Sequence, residues 1–298
     1  MDKLNVSLEH WQVLQAVADE GSFQAAADKL HKSQSTVSYS LQKLQENLGI
    51  QLFEYQGRRA QLTEAGMLIL RRARTLIEQA GKLERAAQDL AAGWEPQINL
   101  LVDVIFPESV LLQALAAFAP QSRGTHVDVF SESLSGSQDM IVKRQVELGI
   151  VALVPPGFLG QRLLEVDFIA VAAANHPLHQ LEPPLKEETL RQYRQIVVRD
   201  SGTYRRSNAG WLGAEERWTV NDFKHSISYL KHGLGFAFLP SHYVTNELAS
   251  GELKLLQLEM RGSRSVLANL VYTDRDSAGP ATQLLAAELI RASAGFKS

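Results

Sequence analysis

The hydrophobic pattern at the start of the chain predicts a helix that begins after Ser7. Leu8, Trp11, Leu14 and Val17 recur at intervals of three and four residues, so they share one helical face. Serine is a residue type that commonly caps the first turn of a helix. We expect this apolar face to pack behind the two helices that follow it in the sequence.

Those two helices are short and are separated by a tight turn. Ser22 caps the second helix, in which Ala25, Ala26 and Ala27 are small enough to let another helix cross closely. His31 and Lys32 form the predicted turn. The pattern is typical of a helical corner, and many two-helix corners share it.

The third helix is predicted from its cap, Ser33, to the glycine that ends it, Gly49. Its buried face carries apolar residues at helical spacing: Val37, Leu41, Leu44 and Leu48. Its open face carries polar side chains near the N-terminal half: Gln34, Ser35, Ser38, Tyr39 and Gln42. Short polar side chains near a helix start can reach base edges and phosphates, so this helix has the properties of a recognition helix.

A basic hairpin and a long helix come next. Residues 50–59 predict a strand, a turn at Gly57 and a basic tip formed by Arg58 and Arg59. Residues 63–92 predict one helix of about 45 Å, capped by Thr63. Its stripe is mainly apolar: Leu68, Ile69, Arg72, Leu76, Ala80, Leu83, Ala87 and Leu90. An isolated helix of this length needs a partner along its stripe, which favours pairing with a second subunit. The alternative is that the helix is buried in the core of the protein.

Beyond Gly93 the pattern changes to short apolar strands that alternate with helices, which is typical of an α/β fold with a parallel sheet. A first βαβαβ unit has strands at 98–102, 126–130 and 148–154, with helices at 107–118 and 137–145. A second region has strands at 168–173, 195–198, 218–220 and 235–239, with a helix at 222–232. A strand at 266–272 and a helix at 279–294 complete the pattern.

Composition narrows the class of protein. A length of 298 residues suits two or three domains, and a hydrophobic content of 45% supports a full core. With no cysteine, a disulfide framework and a cysteine-ligated metal site are both excluded. The N-terminus lacks the apolar core of a signal peptide and no later apolar run approaches a membrane span, so we expect a cytoplasmic, soluble protein with no membrane partner.

Charge alone does not indicate a nucleic-acid binder, because the net charge is −3. Between Ser22 and Arg74, however, eight basic residues and four acidic residues give a local excess of +4. This excess is modest, so attraction to phosphates would require the doubled contacts of a dimer.

Three motifs in register resemble the N-terminal domain of LysR-type transcriptional regulators. They are A-A-A-x-x-L-H-x-S-Q-S-x-V-S from Ala25, L-G-x-x-L-F from Leu48 and R-R-x-x-L-T-x-A-G from Arg58. A lone helix-turn-helix pattern would be weak, but this one continues through the wing and the linker. The resemblance to the family's effector-binding fold extends over residues 98–294, less sharply.

The resemblance implies an α/β protein with a mainly α N-terminal part and three segments. Residues 1–62 would form a winged helix-turn-helix that binds double-stranded DNA, and residues 63–93 a linker helix that pairs two subunits. Residues 94–298 would form a two-lobed α/β effector-binding domain resembling periplasmic binding proteins. Lobe I would comprise residues 94–162 and 267–298, and lobe II residues 163–266.

The resemblance also implies site residues and partners. The DNA contacts would be Ser33, Gln34, Ser35, Ser38, Tyr39 and Gln42, with Arg58 and Arg59 on the phosphate backbone. Many family members carry Arg where Tyr39 stands, so the base preference would differ there. The implied partners are a small-molecule effector, a second subunit, a tetramer built from dimers, and RNA polymerase as a further candidate. No cofactor and no metal are expected.

Candidate effector contacts follow the predicted strands, where open α/β sheets bind ligands. They are Asp103, Phe106, Phe130, Ser135, Ser201, Thr203, Tyr204 and Asn221. In the family a hydroxyl residue follows the first strand and another follows the second. Ser135 matches the second position. At the first position this chain departs from the family, because Asp103 stands where Ser or Thr would be expected. An anion beside Asp103 would be repelled, so a neutral or aromatic effector is favoured, using Phe106, Phe130 or Tyr204. Helix capping and turn formation explain Ser135 equally well and Asn221 better than ligand binding does, and we expect Ser137 to cap the adjacent helix.

The sequence argues against three other classes of protein. The chain has no H-E-x-x-H, G-x-S-x-G or Walker motif, and residues 233–235 lack the third glycine of a dinucleotide site, which argues against an enzyme. A solute-binding protein would need an export signal and no DNA-reading domain. A constitutive architectural DNA binder would need more positive charge and no neutral α/β domain.

Overall fold

The computed structural model describes residues 4–56, 59–202, 210–259 and 264–296. The chain divides into unit 1, Met1–Ala91, and unit 2, Ala92–Ser298. Arg58, Thr203 and Tyr204, which carry sequence-based predictions, lie outside the described residues, as does the Gly57 turn, and the side chain of Arg59 is not described either.

Unit 1 is a bundle of helices with a two-stranded hairpin. Ser22 and Ser33 cap their helices as predicted, accepting hydrogen bonds from the backbone N–H groups of Ala25 at 3.2 Å and Thr36 at 3.1 Å. His31 has a φ of 53° in the turn between them. In chain order the elements are α1 (Leu8–Glu20), α2 (Phe23–Lys29), α3 (Gln34–Leu48), β1 (Phe53–Gln56), β2 (Arg59–Leu62) and α4 (Glu64–Ala91).

The core of unit 1 fixes α3 against the hairpin and against the start of α4. Gln45 on α3 accepts hydrogen bonds from the backbone N–H groups of Leu52 at 2.7 Å and Phe53 at 3.3 Å. A Cβ at Gly66 would lie 2.0 Å from the carbonyl oxygen of Leu52, so only glycine allows α4 to approach the hairpin this closely. The apolar residues that meet in this core include Leu14, Val17, Ala26, Ala27, Val37, Leu41, Leu44, Leu52 and Leu70.

Unit 2 alternates strands and helices. Its strands are β3 (Gln97–Asp103), β4 (His126–Glu132), β5 (Leu148–Val151), β6 (Gly160–Ala173), β7 (Gln195–Val198), β8 (Arg217–Val220), β9 (Phe236–Pro240), β10 (Leu253–Leu255) and β11 (Arg264–Tyr272). Its α-helices are α5 (Glu108–Phe118), α6 (Ser135–Val142), α7 (Glu187–Arg191), α8 (Phe223–Lys231), α9 (Thr245–Ser250) and α10 (Pro280–Ala294), and 3₁₀ turns lie at Ala119–Gln121, Pro177–Gln180 and Ser241–Tyr243.

The nine strands described in unit 2 form one mixed sheet in the order β4-β3-β5-β11-β6-β9-β7-β8, with β10 paired to β6. β3 is parallel to β4 and β5, as the predicted βαβαβ unit requires, and β7 is parallel to β8 and β9. β6 and β11 run antiparallel between the two halves. These two long strands therefore join the two lobes.

Each lobe buries apolar side chains on both faces of its part of the sheet. In lobe I, α5 and α10 cover β3, β5 and β11, with Leu100, Ile150 and Leu285 at the centre. In lobe II, α8 packs on β7 and β9, with Ile196, Leu230 and Leu239 at the centre. The carboxyl ends of β3 and β7 lie between these two cores.

Several predicted boundaries differ from the structure. α6 begins at Ser135, two residues before the predicted start, so the prediction that Ser137 caps it is wrong: Leu134 is the N-cap residue. The short helix α7 and the three-residue strand β10 were not predicted. Each has few residues, so its apolar periodicity is too short to stand out.

Candidate functional site

The N-terminal half of α3 presents an exposed polar surface. Gln34, Ser35, Ser38 and Gln42 are exposed, and Tyr39 has 67% of its surface exposed. Val37, Leu41 and Leu44 are buried on the opposite side, which fixes the rotation of the helix. Ser33 is exposed too, and its hydroxyl oxygen lies 2.8 Å from that of Ser35 and 2.7 Å from that of Thr36. We call Ser33, Gln34, Ser35, Ser38, Tyr39 and Gln42 the α3 surface.

The basic residues around the α3 surface pair with acids of the same unit. Lys29 binds Glu20 at 2.6 Å, Lys43 binds Glu46 at 3.3 Å, Lys32 pairs with Glu9 and Arg74 with Asp19. The hydrogen bond from Lys32 lowers the pKa of Glu9. Such exposed pairs are weak, and phosphates can replace the acid partners at little cost.

α4 carries an apolar stripe that unit 1 does not cover beyond its first turns. Leu68, Leu76, Leu83 and Leu90 are exposed, Leu83 with 73% of its surface. Only the first part of the 28-residue helix packs on the unit, through residues such as Leu70 and Ala73. The remaining stripe is a large exposed apolar surface of the kind that marks a protein interface.

A cavity of about 370 Å³ lies between the lobes of unit 2, at the carboxyl ends of β3 and β7. Its walls are mainly apolar and aromatic, with Phe168 on β6, Trp211, Phe223 on α8 and Phe238 on β9. A size of 300 Å³ or more, apolar walls and a few polar groups are the usual properties of a small-molecule site. A second depression of about 490 Å³, beside Trp94 and Pro280, lies away from these strand ends.

The cavity contains one deeply buried acid, Asp103, at the end of β3. Its carboxylate accepts hydrogen bonds at 3.2 Å from the Ser137 hydroxyl and at 3.2 Å from the Ile105 N–H. Burial nevertheless raises the pKa of Asp103 from 3.8 to about 6, because desolvation disfavours the charged form. An acid group of a ligand beside it would raise that pKa further.

Four more residues with polar side chains line the cavity: Ser133, Gln195, Arg199 and Arg264. The Gln195 amide donates from Nε2 to the carbonyl oxygen of Trp211 at 2.8 Å, which fixes the orientation of the amide. Its Oε1 is buried and has no hydrogen-bond partner within the described part of the chain. Arg199 and Arg264 are exposed, and the described residues supply no ion-pair partner for either.

Beside the cavity, the loop after β4 meets the loop after β7. We call the two loops, residues 133–136 and 199–202, the inter-lobe latch. Ser133 and Ser201 exchange hydrogen bonds: the Ser133 N–H donates to the Ser201 Oγ at 2.9 Å, and the Ser201 N–H donates to the Ser133 Oγ at 3.1 Å. The Ser133 hydroxyl also donates to the Arg199 carbonyl at 2.7 Å. The Ser135 hydroxyl donates to Asp200 at 2.7 Å.

The structure brings together only part of the predicted effector site. Asp103 lines the cavity, while Ser135 and Ser201 lie next to it in the latch and bond to protein groups. Phe106 is packed in the core of lobe I, because the turn after β3 directs it toward α5. Phe130 lies on the edge strand β4, and Asn221 is exposed beside the cap of α8. None of these last three is among the described residues that line the cavity, so we no longer assign them to it.

The sequence reasoning missed Ser133, Asp200, Gln195 and Phe238. Gln195 begins a strand that the hydrophobic pattern predicted correctly, but nothing in that pattern marks its side chain as buried. Ser133 bonds to Arg199 and Ser201, and Asp200 bonds to Ser135, across 65 to 68 positions of the chain. No local signal in the sequence could have found these contacts.

Two classes of feature are absent from the described ranges. There, no group of three or more His, Asp or Glu side chains is placed to hold a metal ion. No helix there has the length and apolar content needed to cross a membrane.

Comparison with known families assigns both units. The family model described as bacterial regulatory helix-turn-helix protein, lysR family, matches residues 8–67. The model described as LysR substrate binding domain matches residues 91–294. Together they cover α1 to the start of α4, and nearly all of unit 2.

Sequence relatives and solved structures with a similar fold are consistent with this assignment. An uncharacterized HTH-type transcriptional regulator of Escherichia coli, YeeY, is 34% identical over 83% of this chain and 81% of its own. The probable HTH-type transcriptional regulator YhaJ of Escherichia coli is 31% identical over 93% of both chains. In structure, CbnR, a LysR family transcriptional regulator, superimposes with a TM-score of 0.55 at 18% identity, over 95% of this chain and all of its own. Full-length LysG from Corynebacterium glutamicum with bound effector Arg has a TM-score of 0.53 at 16% identity, over 97% of this chain and 98% of its own.

Proposed function

Because this chain belongs to the LysR family of helix-turn-helix transcriptional regulators, we propose that the α3 surface reads its operator and that a small molecule in the inter-lobe cavity sets its activity. The family supplies the coarse function: DNA-binding regulation of transcription with an effector-binding domain. Family members are not enzymes in general, and we propose no catalytic role for this chain. The residues that carry each step are our proposal.

The α3 surface supports the DNA-reading assignment because, apart from Ser33, which caps α3, its polar side chains are not needed to build the core of unit 1. Ser35, Ser38 and Tyr39 are exposed near the start of the helix, where hydroxyl and amide groups can reach base edges. We propose that these residues contact bases or adjacent phosphates. Arg58 and Arg59 remain our proposed contacts to the phosphate backbone, from sequence alone.

The exposed stripe of α4 supports a dimer. Leu76, Leu83 and Leu90 recur at intervals of seven residues, which is the repeat that pairs helices side by side. We propose that two copies of α4 pair through this stripe and that dimers associate further into tetramers. Pairing doubles the number of phosphate contacts, which compensates for the modest positive charge.

The cavity between the lobes is the observation that carries the effector assignment. Its aromatic walls would hold a ligand with an apolar, ring-containing body, and Asp103 and Gln195 would accept hydrogen bonds from N–H or O–H groups. A ligand that binds one arrangement of the lobes better than another shifts the population toward it. We propose that this shift changes operator binding or DNA bending.

The proposal is tested with the full-length protein. Duplexes selected from random-sequence DNA by the protein would give an operator, and a library of ring-containing metabolites would be screened by melting temperature. We expect at least one compound that raises the melting temperature and also changes operator affinity. Compounds that bind without any effect on DNA binding would contradict the proposed coupling.

A matched pair of variants locates the ligand. Ala152 is half-buried and lines the cavity, so Ala152→Leu should fill part of it and abolish the response to the compound while operator affinity without ligand is kept. Ala117→Leu adds the same atoms to a half-buried position of α5 outside the cavity and should keep the response. An Ala152→Leu variant that responds normally would remove the cavity from the proposal.

We propose the cytoplasm as the location and RNA polymerase as a further partner. The location follows from the proposed operator and from the sequence-based expectation of a soluble chain. Contact with RNA polymerase would be tested by copurification on operator DNA, with Tyr39→Ala, a variant expected to bind the operator more weakly, as the control.

A further inference from the structure

The Asp200 carboxylate in the inter-lobe latch is bound at the start of a helix that belongs to the other lobe. Its Oδ1 accepts hydrogen bonds from the backbone N–H groups of Ser135 at 3.0 Å and Gly202 at 2.9 Å. Its Oδ2 accepts the hydroxyl hydrogen of Ser135 at 2.7 Å. Ser135 is the first residue of α6, so the carboxylate also faces the positive end of that helix.

This combination of groups is an anion-binding arrangement. Backbone N–H groups at a helix start and a serine hydroxyl favour a carboxylate or a phosphate, and hydrogen bonds to a charged acceptor are stronger than neutral ones. Here the anion is a side chain of lobe II, while the helix and the hydroxyl belong to lobe I. One carboxylate therefore joins the two lobes.

The latch leaves no space for a second anion at this position. A Cβ at Gly202 would lie 1.9 Å from the Ser135 Oγ, and a Cβ at Gly136 would lie 2.1 Å from the Ser201 Oγ. The two loops approach so closely that only glycine fits at either position. An acid group of a ligand and the Asp200 carboxylate cannot occupy the start of α6 together.

We propose that Asp200 is a built-in carboxylate that closes the lobes and excludes the acid group of any ligand from the start of α6. A ligand then enters the adjacent cavity through its apolar body, and an acid group, if it has one, is left to the exposed Arg199 and Arg264. This role goes beyond the proposed function and is independent of DNA binding. It is tested on the purified full-length chain alone.

The test removes the Asp200 side chain and supplies acetate in solution in its place. Asp200→Gly removes the carboxylate together with its methylene, and acetate has the atoms that are lost. At pH 7, in 0.2 M sodium chloride, we expect unit 2 of the variant to melt about 5 °C below the wild type. In 0.2 M sodium acetate we expect it to regain about half of that loss, while the wild type melts at the same temperature in both salts.

A matched control separates the latch from an ordinary helix cap. Asp222 caps α8 at the surface of lobe II: its Oδ1 accepts a hydrogen bond from the His225 N–H at 2.9 Å, and its Oδ2 lies 2.8 Å from the His225 Nδ1. Asp222→Gly should lose stability without recovery in acetate, because the site is open to water. The proposal is overturned if Asp200→Gly melts like the wild type, or if acetate and chloride leave it equally destabilised.

A second variant covers the case in which Asp200→Gly does not fold. Asp200→Asn keeps the shape of the side chain and removes its charge. We expect the amide hydrogens of Ser135 and Gly202 to exchange with solvent about tenfold faster than in the wild type. Exchange rates equal to those of the wild type at both amides would overturn the role of the carboxylate.

Discussion

The α3 surface and the inter-lobe latch both consist mainly of short polar side chains beside a helix start. They differ in whether those side chains have hydrogen-bond partners across the lobes or are exposed to solvent. On α3, Ser35, Ser38 and Tyr39 are exposed, and the core holds only the opposite face of the helix. In the latch, Ser133, Ser135 and Ser201 are satisfied by backbone and side-chain groups of the facing lobe.

The α3 surface is therefore open to a binding partner, whereas the hydrogen bonds of the latch are already formed within the chain. Variants of the α3 surface or of the α4 stripe should change association with DNA or with the second subunit, and those of the α3 surface should leave the free energy of unfolding nearly unchanged. Variants in the latch or at Asp103 should change the stability of unit 2, because buried groups lose their partners there. Four predictions test this division.

The largest effect is expected from charges on the α4 stripe. Leu76→Asp combined with Leu83→Asp places two carboxylates on the proposed dimer face, so the dissociation constant of the dimer should rise by more than about 100-fold. Sedimentation at a series of protein concentrations measures this constant. Gln88→Asp, about 130° around the same helix, should leave it unchanged; a dimer that survives the double substitution would refute the pairing through α4.

Asp103 should give the next largest effect, and it should depend on pH. Its folded-state pKa of about 6 lies above its ordinary value of 3.8, so the folded state binds the proton more tightly than the unfolded state. The stability that this provides is fully present below pH 3.8 and is lost as the pH rises through 6. The shift corresponds to about 3 kcal/mol at most.

Asp103→Asn should remove this dependence, because the amide has no charge to bury. Denaturant unfolding of both proteins from pH 4 to pH 7 measures it. The free energy of unfolding of the wild type, relative to the variant, should fall as the pH rises. A difference that stays constant across this range would show that Asp103 is not the group that titrates.

On the α3 surface, Tyr39→Ala should weaken binding to the selected operator by about 1–3 kcal/mol, the usual value of one good base contact. The melting temperature of unit 1 should stay the same, because Tyr39 packs on nothing in the core. Fluorescence anisotropy with labelled operator measures the affinity. Ser40→Ala, at a half-buried position outside the surface, is the control; equal losses from both variants would mean that α3 is not read through this face.

The sequence predicted unit 1 well because each of its decisive features is local. Ser22, Ser33 and Gly49 mark the ends of α2 and α3, and the spacing of Val37, Leu41 and Leu44 fixes which side of α3 is exposed. Three or four turns of helix contain all of this information. The family resemblance then supplied the function.

The cleft of unit 2 could be predicted only in outline, because its side chains converge from distant parts of the chain. The alternation of strands and helices located the ends of β3 and β7, where the cavity is. It did not reveal that Phe106 turns into the core or that Ser135 meets Asp200. Those outcomes depend on how the two lobes approach, which no local pattern contains.

The smallest effect is expected from a latch variant that removes an uncharged hydroxyl and keeps the Asp200 carboxylate. Ser133→Ala removes the hydroxyl that donates to the Arg199 carbonyl and accepts from the Ser201 N–H, so unit 2 should lose about 1–2 kcal/mol of stability. Ser131, two residues earlier, is exposed on the edge strand, and Ser131→Ala should be neutral. Operator affinity in the absence of ligand should be the same for both variants. If Ser133→Ala were as neutral as its control, the hydrogen bonds between the loops would contribute nothing to closure, and the α3 surface and the latch would no longer differ in kind.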